Sequence, residues 1–291
     1  MSALLKALAA PAPIVLAPTG MVPTKAMTPH VPITPEEIAR DVAAAAAIGI
    51  TSVHLHARGE DGAPTWEREV YARIVGGVRE LVPEVLINVS TSGRTWSELE
   101  RRADVLALDD DLKPDLASLT LSSQNFLTGP SVNAPEVIRG LATIMRDRGI
   151  VPELELFDFG MVNFAHVLRK EGLVPPTAVA NLFFGNVAGM QATLAEVGLA
   201  VERLPEGSLW AGAGLGDFQL TAQSLAVAAG GGVRVGLEDG IWFDRARTVL
   251  ATNESLVERV HALLELHGRR MMKPKELRGH LEGGQPEGGQ P

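Results

Sequence analysis

The feature that most constrains the fold is a regular alternation of short aliphatic or β-branched runs with longer amphipathic segments. The short runs predict eight strands, at 14–17, 52–56, 85–89, 116–119, 153–156, 179–184, 209–213 and 233–237. Helical patterns follow them, beginning near Pro35, Trp66, Trp96, Ala134, Met161, Thr193, Gln219 and Asn253. Such alternation predicts an α/β fold with a parallel sheet. A doubly wound open sheet has the same pattern, but eight units favour a closed (β/α)8 TIM barrel.

The 291 residues predict a single barrel domain over 1–282 rather than two small domains. Thr34, Pro35 and Glu37 form the signature of a capped helix start. A last short helix is expected outside the barrel at 273–281, where it is free to pack on a neighbouring subunit. The final stretch, GGQPEGGQP at 283–291, has almost nothing to bury and predicts a disordered tail.

The net charge and the absence of cysteine limit which binding partners the sequence predicts. The formal net charge of -9 disfavours a general nucleic-acid binder. The chain has no cysteine, so any metal must be held by histidines and carboxylates, and a reducing compartment fits. Because no apolar run reaches the length of a membrane span and prolines interrupt the first one, we expect a cytoplasmic protein with no membrane partner.

A pair of histidines is the first candidate for chemistry. His54 and His56 in VHLHAR occupy alternate positions of a predicted strand, so both point into the barrel near its carboxyl end. Two core histidines satisfied by hydrogen bonds are the alternative. A metal site is favoured because two polar rings on one inward face need partners.

The last predicted strand supplies the remaining parts of a metal site in VRVGLEDG. Glu238 would complete a set of two histidines and one carboxylate, which is a common open catalytic site for Zn²⁺ or Fe²⁺. Asp239 follows it as a candidate base, and Arg234 would orient that carboxylate or bind one of the substrate. An ordinary salt-bridged strand end is the alternative.

Other strand ends offer weaker candidates. Ser90 would bring a hydroxyl to the same mouth, or would simply start a turn. Glu153 and Glu155 both point inward, and one of them is expected in the site because a buried carboxylate is costly. Gly214 and Gly216 stand where barrels often hold a phosphate, with tight turns as the equal alternative.

These motifs, taken together and in order, resemble the β-keto acid cleavage enzyme family, and the resemblance spans nearly the whole chain. The segments that carry it are PTG, VPITPEE, VHLHAR, VPEVLINVSTSG, KPDLASL, NF, PELELFD, FFGNVAGM, VRVGLEDG and ATNESLVER. Each would be weak alone, whereas HxH followed by GxED in this order is specific.

The resemblance implies a homotetrameric barrel that binds Zn²⁺ and condenses a β-keto acid with acetyl-CoA, giving acetoacetate and a new acyl-CoA. On the matching positions it implies that the metal ligands are His54, His56 and Glu238, that Asp239 is the base, and that Arg234 and Ser90 act in its relay. Glu155 matches an inward glutamate of the family. Ser118 matches a threonine and, with Thr120 and Val22, falls among the substrate contacts.

Several departures from the family pattern bear on specificity. Val22 stands where the aminohexanoate enzyme of the family carries a glutamate, so an amino-substituted keto acid is not expected to be preferred. Met21, Val22 and Met27 indicate a neutral or partly apolar substrate tail. Thr120 replaces a usual asparagine, GNVAGM replaces GVPGGM, and Asp217 replaces a basic residue, so the CoA contacts are expected to differ from the family pattern.

Three other functions fit parts of the pattern. A metal-dependent aldolase or acyl-CoA lyase would also use paired histidines and a carboxylate to stabilise an enolate. A hydrolase of the amidohydrolase type fits less well, since it would place HxH on the first strand. A barrel that only binds its ligand is the non-enzymatic alternative.

Overall fold

A computed structural model describes residues 8–283, which fold into a closed barrel of eight parallel strands. The strands, numbered here along the chain, are β1 (Ile14–Leu16), β2 (Ser52–Leu55), β3 (Leu86–Val89), β4 (Leu116–Thr120), β5 (Val151–Leu156), β6 (Val179–Phe184), β7 (Leu209–Gly214) and β8 (Gly232–Val235). Each pairs with its neighbours in sequence, and β1 pairs with β8 to close the ring. The predicted (β/α)8 barrel is confirmed.

A helix follows each strand and packs outside the ring. These helices are α1 (Pro35–Ile48), α2 (Arg68–Leu81), α3 (Leu99–Ala103), α4 (Pro135–Arg148), α5 (Phe159–Lys170), α6 (Leu194–Arg203), α7 (Gln219–Ala228) and α8 (Asn253–Leu266). The predicted capping box of α1 is present, because Thr34 Oγ1 accepts from Glu37 N at 3.2 Å and Glu37 Oε2 accepts from Thr34 N at 3.3 Å. The helix expected near Trp96 begins only at Leu99 and is short.

The last helix, α9 (Pro274–Leu281), forms as expected but packs on its own barrel. Leu277 is buried against Leu86, Leu116 and Val179, which begin β3, β4 and β6. The helix therefore closes the amino-terminal end of the barrel, and the buried face of Leu277 is not free for a neighbouring subunit. All of the predicted tail except Gly283 lies outside the described residues.

Two small antiparallel hairpins extend the carboxyl-terminal mouth. One pairs Ala57–Arg58 with Pro64–Thr65 after β2, and the other pairs Gln124–Phe126 with Gly129–Ser131 after β4. Across residues 8–283, no helix has both the length and the apolar character needed to cross a membrane.

The middle of the barrel interior is polar, which is unusual for a fold whose interior is commonly filled by branched apolar side chains. Five buried polar side chains lie there, one from each of five strands: His54, Asn88, Glu153, Asn181 and Arg234. This polar layer lies directly beneath the mouth, so it contacts and positions the side chains at the carboxyl ends of the strands.

Candidate active site

Three side chains predicted to hold a metal come together at the mouth. His54 lies on β2 and His56 directly follows it, and their Nε2 atoms are 3.1 Å apart. Glu238 follows β8, and its Oε1 lies 3.2 Å from His56 Nε2 and 3.9 Å from His54 Nε2. Strand parity turns both histidines inward, and the pairing of β1 with β2 and with β8 brings Glu238 beside them.

The backbone around Glu238 depends on two glycines. Gly236 directly follows β8 with φ +154°, and a Cβ there would lie 2.0 Å from the carbonyl oxygen of Ala17. Gly20 has φ +63° and packs against Glu238, whose Cγ would lie 2.4 Å from an added Cβ. Only glycine permits this backbone shape and this close approach together. The PTG segment after β1 therefore shapes the carboxylate side of the site.

The chemistry of the three residues fits a divalent metal ion. One ligand atom from each lies within 4.8 Å of the others, and ligands of a single Zn²⁺ at about 2 Å are roughly 3.3 Å apart. Glu238 Oε2 is buried with no hydrogen-bond partner among the described residues. Burial, helped by Arg234, lowers the pKa of His54 well below its usual value. Burial would raise the pKa of Glu238, but His56 and Arg234 hold it well below its usual range. A neutral imidazole and an ionised carboxylate are the forms that bind metal.

A second layer of polar groups supports His54. The amide nitrogen of Asn88 lies 3.0 Å from His54 Nδ1 and also contacts Glu153 Oε1. In this orientation the amide donates to Nδ1 and the ring proton lies on Nε2. Turning the amide over would bring its oxygen to Nδ1–H and leave the Nε2 lone pair free for a metal. Burial raises the pKa of Glu153 to about 8. Sequence reasoning considered Glu153 but missed Asn88, although Asn88 precedes Ser90 by two positions and so shares its inward face.

Arg234 binds both acidic residues of the last strand end. Its Nη2 lies 2.8 Å from Glu238 Oε1, and its Nε donates to Asp239 Oδ2 at 3.0 Å. Burial opposes the charge, but Asp239 and Glu238 together raise the pKa of Arg234 above its ordinary value. Burial also raises the pKa of Asp239 to about 6, in spite of the opposing charge of Arg234. These contacts fit one of the two roles considered for Arg234, the orientation of Asp239, while its Nη1 is buried with no hydrogen-bond partner among residues 8–283.

A cavity above the metal site, which we call the substrate cavity, collects most of the other predicted residues. Ser90, Val22, Thr120 and Glu155 all line it, and Thr120 Oγ1 donates to Glu155 Oε2 at 2.6 Å. Ser118 does not line it. Instead, its Oγ accepts from Thr91 N at 3.2 Å and so fixes the loop that carries Ser90.

A larger groove of about 760 Å³ opens beside Glu238 and Asp239, and we call it the outer groove. Its walls are the loop after β8, including Trp242 and Phe243, and the turn after β7. Asp217, the acidic replacement noted in the sequence, is paired with Arg247 through two contacts of 3.1 Å. The acidic charge expected to disturb CoA binding is thus neutralised within the chain.

The glycines after β7 form a tight turn rather than a cradle of free amides. The amide of Gly216, at φ +56°, donates to the carbonyl of Asp239 at 2.6 Å. A Cβ on Gly214 would lie 2.3 Å from the carbonyl oxygen of Phe218. Between the two alternatives left by the sequence, the structure favours the turn.

Comparison with known proteins agrees with this geometry. A family model described as beta-keto acid cleavage enzyme matches residues 11–282. The chain belongs to the β-keto acid cleavage enzyme family. A 3-keto-5-aminohexanoate cleavage enzyme of Fusobacterium nucleatum is 36% identical over 260 residues, which cover 88% of this family member and 92% of the relative. A 3-oxoadipate:acetyl-CoA acetyltransferase of Cupriavidus necator is 35% identical over 274 residues, covering 93% and 94%.

A solved structure supports the fold of this family member. The ternary complex of ObcA with a C4-CoA adduct and oxalate superimposes with a TM-score of 0.79 at 22% identity. The match covers 87% of this chain and 68% of that one. At this identity the similarity shows the barrel alone.

Proposed function

We propose that this family member condenses a β-keto acid with acetyl-CoA and releases acetoacetate and a new acyl-CoA. The observation that carries the proposal is the position of Asp239, a buried carboxylate of raised pKa beside the three convergent ligand atoms. Relatives are named as acetyl-CoA-dependent transferases of 3-oxoadipate, 3-dehydrocarnitine and 3,5-dioxohexanoate. Those names share the keto acid and acetyl-CoA but differ in the tail of the acid.

His54, His56 and Glu238 are proposed to hold the metal, with Zn²⁺ as the first candidate. When bound, it supplies Lewis acidity toward the keto oxygen, which makes the neighbouring CH₂ group more acidic. Asp239 is then placed to remove a proton from C2 of the acid, while Arg234 fixes its carboxylate. A base with a pKa near 6 is ionised at neutral pH and still able to accept a proton.

The carbon chemistry that follows balances without any further reactant. C2 of the keto acid attacks the acetyl thioester carbonyl, forms a carbon–carbon bond and expels CoA as the thiolate. That thiolate attacks the original keto carbonyl, and the bond between it and C2 breaks. The electron pair stays on C2, which regains a proton from Asp239. The products are acetoacetate and an acyl-CoA that carries the tail.

Polar residues of the substrate cavity are proposed to hold the reacting groups. Ser90 and the Thr120–Glu155 pair line the same cavity as Asp239, so they are placed to contact the keto acid and its developing charge. Ser118 is proposed to act through the Thr91 loop and not by direct contact.

The outer groove is proposed to receive the CoA arm. It opens beside Asp239, is largely apolar around Trp242 and Phe243, and carries the exposed Arg245. An apolar groove suits the pantetheine chain, and an arginine suits a phosphate. The thioester would then reach Asp239 from one side and the keto acid from the other.

An amino-substituted keto acid is proposed to be a poor substrate. Val22 lies on the wall shared by the substrate cavity and the outer groove, and it cannot pair with an ammonium group. Efficient turnover of 3-keto-5-aminohexanoate with no gain for a neutral analogue would contradict this.

The test is to incubate metal-loaded protein with acetyl-CoA and a panel of β-keto acids and to quantify acetoacetate and acyl-CoA. His54→Ala and Asp239→Asn are each expected to abolish turnover, and only the first should lose the metal. Arg40→Ala, on the exposed side of α1, is the matched control. Full activity of metal-free protein contradicts the proposal. Cleavage that consumes no acetyl-CoA favours an aldolase or lyase, and ligand binding without turnover favours a binding barrel.

The proposal extends to a cytoplasmic homotetramer in which residues 1–282 form one domain. Large apolar side chains exposed on the barrel helices, such as Leu194 at 79% and Leu266 at 84%, are consistent with burial in subunit contacts. Light scattering of the purified protein tests the tetramer, and a monomer at micromolar concentration contradicts it.

A further inference from the structure

One side of the substrate cavity is a row of three rings, Phe126, Phe157 and Phe183, which we call the aromatic wall. Phe126 meets Phe157 edge to face with centroids 5.7 Å apart, and Phe157 stacks on Phe183 at 4.3 Å. An arginine covers each end. Arg94 Cζ lies 4.1 Å from the centroid of Phe126, and Arg234 Cζ lies 5.0 Å from that of Phe183. The wall therefore connects two guanidinium groups across an apolar surface.

The two arginines differ in their partners. Arg234 is held by two carboxylates, whereas the guanidinium of Arg94 makes no salt bridge or hydrogen bond with any residue between 8 and 283. The main-chain amide of Arg94 does bind Ser92 Oγ, at 3.2 Å, which ties down the loop that carries it. Partial burial lowers the pKa of Arg94. A partly desolvated guanidinium without a counter-ion is costly unless it serves to bind an anion.

Neighbouring arginines show what a structural role looks like in this region. Arg58 donates to three main-chain carbonyls, including that of Gly20 at 2.9 Å. Arg102 donates to the carbonyl of Thr91 at 2.8 Å and to Asn133 Oδ1 at 2.8 Å. Both are used up in fixing loops. Arg94 lies in the same part of the mouth and lines the substrate cavity, and its guanidinium donors have no partner among the described residues.

We propose that Arg94 binds a carboxylate at the far end of the β-keto acid, so that the preferred substrates are 3-oxo dicarboxylates. This inference rests on the proposed function. The acidic C2–H must lie at Asp239, beside Arg234, and the C1 carboxylate is bonded to C2. The carboxylate that reaches Arg94, at the opposite end of the aromatic wall, is therefore the one on the tail. The apolar part of the tail would then face the aromatic wall.

Arg94 also refines the expectation of a neutral or partly apolar tail. Val22 lines the same cavity, and it stands where the aminohexanoate enzyme carries a glutamate that could attract an ammonium group. Arg94 adds a positive charge at that cavity. The two residues act in the same direction, because each disfavours a cationic tail and only Arg94 favours an anionic one.

The experiment compares a six-carbon acid, 3-oxohexanedioate, with its C6 monoamide, which has nearly the same shape and no tail charge. Acyl-CoA formation is measured for the wild type, Arg94→Met, Arg94→Lys and the control Arg101→Met, which removes an exposed arginine of α3. The wild type is expected to prefer the diacid by about 10- to 100-fold in kcat/KM, as for a charge-assisted pair. Arg94→Met should lose this preference, Arg94→Lys should keep part of it, and Arg101→Met should match the wild type.

Binding without turnover provides an independent measurement. Calorimetry with adipate and adipate monoamide should show tighter binding of adipate to the wild type and equal binding of both to Arg94→Met. Equal kcat/KM for diacid and monoamide in the wild type overturns the inference, and so does an equal loss for both in Arg94→Met. If no keto acid yields acyl-CoA but adipate still binds through Arg94, the proposed function fails and the anion site stands.

Discussion

Asn253 is predicted to fix the backbone on both sides of the metal site, although it touches none of the three ligands. It begins α8 and is fully buried, and its Oδ1 accepts from Leu237 N at 2.9 Å, one residue before Glu238. Its Nδ2 donates to the carbonyl of Pro18 at 3.1 Å and to Asp41 Oδ2 at 2.7 Å. One side chain thus joins the ends of β1 and β8 to α1.

The size of the effect follows from the groups that Asn253→Ala would strand. The amide of Leu237 and the carbonyl of Pro18 would lose their side-chain partner in the interior, at about 1–3 kcal/mol each. We therefore expect a loss of about 2–6 kcal/mol in the free energy of unfolding. Because Glu238 follows Leu237 directly, metal affinity should also fall roughly tenfold.

Thr252→Ala is the matched control, since Thr252 caps the same helix by accepting from Ser255 N at 3.1 Å without touching Leu237. It should cost about 1 kcal/mol and leave metal affinity unchanged. Urea unfolding measures the stability of both variants, and competition with a chromophoric chelator measures Zn²⁺ affinity. If Asn253→Ala loses no more than Thr252→Ala in both assays, the reasoning is refuted.

Three further perturbations test the packing of the barrel. Burial raises the pKa of Asp41 from 3.8 to about 7, so its carboxyl destabilises the protein increasingly from about pH 4 to 7 and by a constant amount above that. Asp41→Asn should therefore become more stable than the wild type as the pH rises through this window, by up to about 4 kcal/mol before allowance for partial exposure. Unfolding titrations at several pH values measure the difference. A difference that does not change with pH would contradict the prediction. Gly236→Ala should lower the free energy of unfolding by more than about 3 kcal/mol, because its Cβ would lie 2.0 Å from the carbonyl oxygen of Ala17. Gly198→Ala in α6 is the control, since an added Cβ there meets nothing within 4 Å, and it should raise the free energy of unfolding by about 0.5–1 kcal/mol. Leu277→Ala should lower the free energy of unfolding by about 2–4 kcal/mol, because it leaves a cavity at the amino-terminal end of the barrel. Since that end lies away from the mouth, kcat should not change.

The barrel and the three metal-ligand candidates could be predicted because both depend on periodicity. Eight strand and helix units imply closure, and closure places β8 beside β1 and β2. Two histidines at alternate positions must then share a face with each other, and a carboxylate after β8 must lie near them. These inferences need only the order of elements and the parity of strand positions.

Contacts between distant loops could not be predicted in the same way. Asp217 reads as an unfavourable charge until its pairing with Arg247, thirty residues away, is seen. Asn88 lies within β3 and not at a strand end, so nothing in the sequence marks it as a partner of His54. Arg94 lies in a loop with no periodicity, so its stacking on Phe126 depends on how two loops meet.

The fate of the acetyl group tests the central claim most directly. The wild-type protein is incubated with a β-keto acid and acetyl-CoA labelled with ¹³C in both acetyl carbons, and the products are followed by NMR. The account predicts acetoacetate labelled at C3 and C4, an unlabelled acyl-CoA, and one equivalent of each per acetyl-CoA consumed, with no product from Asp239→Asn. Acyl-CoA that forms while the label stays in acetyl-CoA, or cleavage at the same rate by Asp239→Asn, would contradict it.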